Sequence, residues 1–166
     1  MVAVTRDWAV SLDYAGVERV LSLGRYNRQA VLLFTNVDDL FYAATDQGKT
    51  PIERLEFFHF YFMPYYRIWV SMLYVVHEGV KECEVSDKKL TVIQDSIDMQ
   101  LLRRFRNGTF HFKAKLSNPH HHDYIEKNGF LPARNLHERQ DFVIRKMVRL
   151  LKHNMNFQAN KVHQLD

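Results

Sequence analysis

Phe57 to Val76 limits the folding options of this chain more than any other stretch. Its twenty residues hold one formal charge, Arg67, together with His59. A run of that length could span a bilayer. Three features oppose a span: Arg67 falls mid-run, Pro64 lies near the centre, and Phe57, Phe58, Phe60, Tyr61, Phe62, Tyr65 and Tyr66 are spread along it rather than belted at its ends. No second span exists to shelter the charge. The run is therefore expected to be the central helix of a bundle, buried on most sides and bent at Pro64. A helix so apolar all round needs more cover than a small bundle supplies, which points to a homodimer interface. Arg67, if buried, needs an acidic partner such as Glu56, Glu78 or an acid on another helix.

The rest of the chain suits an all-α fold. Six Gly and four Pro in 166 residues are too few for a turn-rich β protein, and a 46% hydrophobic fraction excludes a disordered one. The spacing predicts an antiparallel helical bundle of five to seven helices, forming a single domain over residues 1–166. Residues 1–50 read as helical, and Gly24 either divides that stretch into two helices or weakens one. Thr50, Pro51 and Glu53 mark a helix start by cap, first position and early acid. Ser86-Asp87 begins a connector. Asn118-Pro119 starts a short helix ending at Asn128-Gly129, and the last helix is placed near Asn135, with Glu138 in capping-box position.

Charge is unevenly placed. From Ala133 to Asp166 there are seven Lys/Arg and three acids, 7 − 3 = +4, which equals the net charge of the whole chain. A basic C-terminal helix, about residues 134–155, would approach a polyanion first, and Arg145, Lys146 and Arg149 are its candidate nucleic-acid contacts. A solvated face on a core-packed helix explains the same residues without a ligand. The single cysteine, Cys83, excludes an intramolecular disulfide and a Cys-based zinc site. His120-His121-His122-Asp123 does not read as a metal site, because successive helical side chains point about 100° apart. Arg6 and Asp7 interrupt the N-terminus before any signal-like apolar run, so a cytoplasmic protein is expected.

The densest chemistry lies in Asp95–Phe112. Ile93, Ile97, Leu101 and Phe105 form an apolar ladder at helical spacing, with Asp95 or Ser96 as cap and Asp98 in the first turn. Arg103, Arg104, Arg106, Asn107 and His111 interrupt it. Arg binds phosphate bidentately, His moves a proton near neutral pH, and Asn orients a hydroxyl, so the set suits a phosphodiester. The competing structural reading is a polar helix end paired with Asp95, Asp98 or Glu82.

At Arg106-Asn107-Gly108-Thr109-Phe110-His111 the chain resembles the signature of the HEPN superfamily: an Arg, a polar residue, and a His after a short gap. The resemblance covers roughly residues 50–112. It implies a helical bundle that dimerises, with two motifs facing across the two-fold axis, and often metal-independent endoribonuclease activity in toxin–antitoxin or phage-defence systems. Other members have lost the activity and bind a nucleotide, nucleic acid or partner protein. Arg106, Asn107 and His111 would be the catalytic residues. His111 would act as base or acid for attack of the 2′-hydroxyl on the adjacent phosphate, and Arg106 would stabilise the phosphoryl oxygens. Arg103, Arg104 and Lys113 would be supporting nucleic-acid contacts. No cofactor is implied. A toxin subgroup carries a Tyr two residues after the His, modified by a nucleotidyltransferase antitoxin; Lys113 stands there, so an antitoxin partner would have to act by another route.

Overall fold

The computed structural model describes residues 14–44, 48–85, 87–110 and 119–162. They form α1 (Tyr14–Ala44), α2 (Pro51–Phe57), α3 (Met63–Glu82), α4 (Lys88–Asp95), α5 (Met99–Phe110), α6 (Pro119–Lys127) and α7 (Phe130–Val162), with a π-helical turn at Phe58–Phe62 between α2 and α3. The fold is all-α, and there is no strand among the described residues. None of the described helices is long and apolar enough to cross a membrane.

α3 is the centre of the bundle and packs against α1, α5 and α7. Tyr66, Trp69, Val70, Leu73, Val76 and Val80 recur at helical spacing and are buried in the core. Around Trp69 gather Phe34 (ring centroids 5.1 Å away) and Phe130 (5.7 Å). Phe105 brings α5 to the same core through Tyr66, and α6 through Tyr124 at 5.0 Å.

The expected bend at Pro64 takes the form of a widened turn. Proline has no N–H, and its ring collides with the carbonyl four residues back in a regular helix. The Met63 N–H reaches the Phe58 carbonyl, five residues back, so the backbone opens just before the proline and the helix then continues. The expectation of burial on most sides holds only beyond that turn. Ile52, Leu55, Phe60 and Tyr61 lie largely in solvent, and Phe58, Tyr65 and Ile68 are exposed as well.

Several local expectations hold. Thr50 and Glu53 make a reciprocal capping box, and Gly129 ends the α6 region at φ 67°, a left-handed conformation that suits glycine. α1 runs through Gly24 without interruption.

Others change. Asp95–Phe112 is not one helix: α4 ends at Asp95 and α5 starts at Met99. The cap is therefore Asp98, whose Oδ1 accepts from the Gln100 and Leu101 amides at 3.0 Å each. The Ile93–Ile97–Leu101–Phe105 ladder crosses the break, because a buried turn residue meets the same core as the helices beside it. α7 begins at Phe130, not near Asn135, and Glu138 pairs with Arg134 at 3.0 Å instead of capping. Arg67 makes no ion pair among the described residues; its Nε is buried without a hydrogen-bond partner there, and burial lowers its pKa.

Candidate functional site

α5 is amphipathic, and its two faces divide the candidate residues. Leu101, Leu102 and Phe105 are buried. Arg103, Arg106 and Asn107, at i, i+3 and i+4, share an edge that meets α3 at Tyr74 and Glu78, themselves four residues apart. Arg106 Nη1 donates to Asn107 Oδ1 at 3.0 Å, and Nη2 lies 3.9 Å from Glu78 Oε2. The Arg106 guanidinium also sits over the Tyr74 ring, 5.9 Å from its centroid. Burial raises the Tyr74 pKa, helped by the Glu78 charge and opposed by Arg103 and Arg106, and Glu78 accepts the phenol hydrogen bond.

The Arg106–Glu78 pair is long, and its side chains are 37% and 44% exposed. Such pairs contribute about 0–1 kcal/mol, so an arriving phosphate can displace the carboxylate. The acid facing Arg106 is thus Glu78, and not Asp95, Asp98 or Glu82. Asp98 is engaged by Lys127 at 2.8 Å, which holds its carboxyl below the usual carboxylate range. Arg104 is exposed. His111 and Lys113 lie outside the described residues.

The last turn of α5 carries a second polar contact. Thr109 Oγ1 donates to the Phe105 carbonyl at 3.1 Å, which leaves the His121 Nε2–H, at 3.2 Å, to donate to that hydroxyl. His121 is buried, lies tilted against the Phe105 ring with centroids 4.4 Å apart, and has its pKa lowered to about 4, first by burial and then by the charge of Arg67. It is neutral at physiological pH and fixes α6 against the end of α5. No group of three His, Cys, Asp or Glu side chains that could hold a metal ion is found among the described residues.

The basic residues of α7 separate onto different sides. Arg145 and Arg149 line a groove of about 540 Å³ between α1 and α7, together with Lys152 and with Arg25 and Arg28 of α1. Lys146 lies outside that lining, and its charge acts on Asp87. The sequence does not mark out Tyr74, Arg25 or Arg28; Glu78 enters there only as a partner for Arg67, and His121 only within the His120–Asp123 run. The i, i+4 spacing of Tyr74 with Glu78 and the i, i+3 spacing of Arg25 with Arg28 are the only local hints of them. A scan of protein-family models, a search of curated proteins and a search of solved structures each find no match to this chain.

Proposed function

We propose that this protein is a metal-independent endoribonuclease of HEPN type, acting in the cytoplasm as a homodimer in a toxin–antitoxin or phage-defence setting. The observation that supports this reading is the pairing of Arg106 with Asn107 on a half-exposed edge of α5, in the sequence just before His111. In the proposed reaction the RNA 2′-hydroxyl attacks the adjacent phosphate. His111 takes the hydroxyl proton or protonates the leaving 5′-oxygen, and Arg106 leaves Glu78 to bind the phosphoryl oxygens. Asn107 keeps the guanidinium aligned through the 3.0 Å contact. The exposed aromatic stripe around Phe58, Tyr61 and Tyr65 supports docking of a second copy.

An RNase assay on pure protein, with and without EDTA, tests the reading. Wild type should cut RNA equally in both, and His111→Ala should lower the rate by roughly 100-fold or more. Absence of cleavage by wild type removes the enzyme reading. The Glu78 contact favours the second reading, a binding module without catalysis, in which Arg106 remains an RNA or nucleotide ligand. In that case wild type binds RNA without cutting it, and Arg106→Ala weakens binding.

A further inference from the structure

The groove between α1 and α7 concentrates the molecule's charge. Its lining contains Arg25, Arg28, Arg145, Arg149 and Lys152 against one carboxylate, Asp141, so 5 − 1 = +4. The entire chain is also +4, so all other charges cancel. Asp141 is already committed: Asn27 Nδ2 donates to it at 2.9 Å, and Arg145 Nε at 2.8 Å. That anchors Arg145 through Nε alone. Leu21, Val31, Ile144 and Val148 also line the groove, and Gly24 lets the helices approach, a Cβ there falling 3.2 Å from Val148.

We propose that this groove holds the phosphodiester backbone of single-stranded RNA. The proposal rests on the RNA-directed reading above, and it adds a site separate from the Arg106 edge. Residues 21–31 of α1 and 141–152 of α7 each extend about 15 Å at 1.5 Å per residue. The strand of a stacked helix spaces its phosphates about 3.4 Å apart along the axis and an unstacked one more widely, so that length meets at most about four. Four of the five cations are arginines, whose planar guanidinium matches phosphate oxygens two at a time. Cations from both helices line the groove, so a strand laid along it meets positive charge from either side. The lining has no aromatic side chain on which bases could stack. Recognition is therefore by backbone charge, indifferent to sequence and sensitive to salt.

The test uses the full chain carrying His111→Ala, so that bound RNA stays intact, and a labelled single-stranded RNA of about twelve nucleotides followed by fluorescence anisotropy at several salt concentrations. Arg28→Glu with Arg149→Glu should weaken binding by an order of magnitude or more and reduce the slope of log affinity against log salt by at least about 1.4, two phosphate contacts at about 0.7 each. Arg28→Gln with Arg149→Gln provides the same reading if the reversed pair fails to fold. Lys89→Glu, an exposed charge on α4, should change affinity less than about twofold. Unchanged RNA affinity in both groove variants overturns the proposal, as does equal affinity for a duplex or for poly-glutamate. Wild type that binds RNA through the groove without cutting it would remove the enzyme reading alone. Wild type that cuts RNA with groove variants binding normally would remove the groove alone.

Discussion

Individual side chains hold this bundle together where helices meet, and Asp87 does so twice. Its carboxylate caps α4 by accepting the Leu90 amide at 2.8 Å and also takes a two-pronged bond from Arg139 of α7. The pair is only 12% and 20% exposed, so water screens it weakly. Burial pushes the Asp87 carboxyl up, but the Arg139 and Leu90 hydrogen bonds win and its pKa is lowered. Asp87→Ala removes cap and partner together and should cost about 2–4 kcal/mol, read as a lower urea midpoint at constant slope. Loss below about 0.5 kcal/mol would show that Arg139 finds another acid. Glu78→Gln removes the half-exposed partner of Arg106 and should change stability by less than about 1 kcal/mol, while tightening binding of inorganic phosphate measured by calorimetry. Unchanged phosphate affinity would mean that Glu78 does not compete for Arg106.

At the level of elements, two glycines in long helices have opposite forecasts. Alanine is favoured over glycine by about 0.8–1.0 kcal/mol in a helix interior. In α3, a Cβ on Gly79 would lie 2.9 Å from Leu23 Cδ1, and Leu23 is buried against it. The collision exceeds the propensity gain, so Gly79→Ala should destabilise by about 1–2 kcal/mol. A Cβ on Gly24 meets Val148 at 3.2 Å, at the wall of an open groove. Gly24→Ala should then fall within about 0.5 kcal/mol of wild type, and thermal melts of the two variants decide whether the α1–α3 contact is the tighter. Equal melting temperatures would contradict that ranking.

For the molecule as a whole, three buried histidines set the acid limit. His77, His121 and His137 each have their pKa lowered to about 4, with burial as the first cause. Each is neutral in the fold, while an unfolded histidine gains its proton near 6.5. The folded pKa is depressed, so these residues leave stability intact above about pH 6.5 and take it away as pH falls toward 4. Below pH 6.5 each costs about 1.4 kcal/mol per pH unit, so the three together should make urea stability fall steeply between pH 6.5 and 5. His121→Gln should flatten that slope by about a third. A pH-independent urea midpoint over that range would contradict the burial of these rings.

By itself the sequence determined that the chain is helical and where several helices start and stop. The period of apolar residues, the Thr50–Glu53 box and the Gly129 stop act within a few residues, so they are legible without neighbours. It also brought out Arg106 and Asn107 together, since adjacent residues on one helix keep company in any fold. Other features depended on packing. The ladder through Ile97 looked continuous because residues of a turn and of two helices can bury into one core. Arg67 was expected to find an acid, yet Glu78 faces Arg106, because the crossing of α3 and α5 sets which side of each helix meets the other. The basic residues of α7 were visible, but their division was not: Arg145 and Arg149 turn toward Arg25 and Arg28, and Lys146 toward Asp87. Asn27 and Asp141 meet across 114 residues of chain. Local periodicity cannot specify such a meeting; the packing of α1 on α7 decides it.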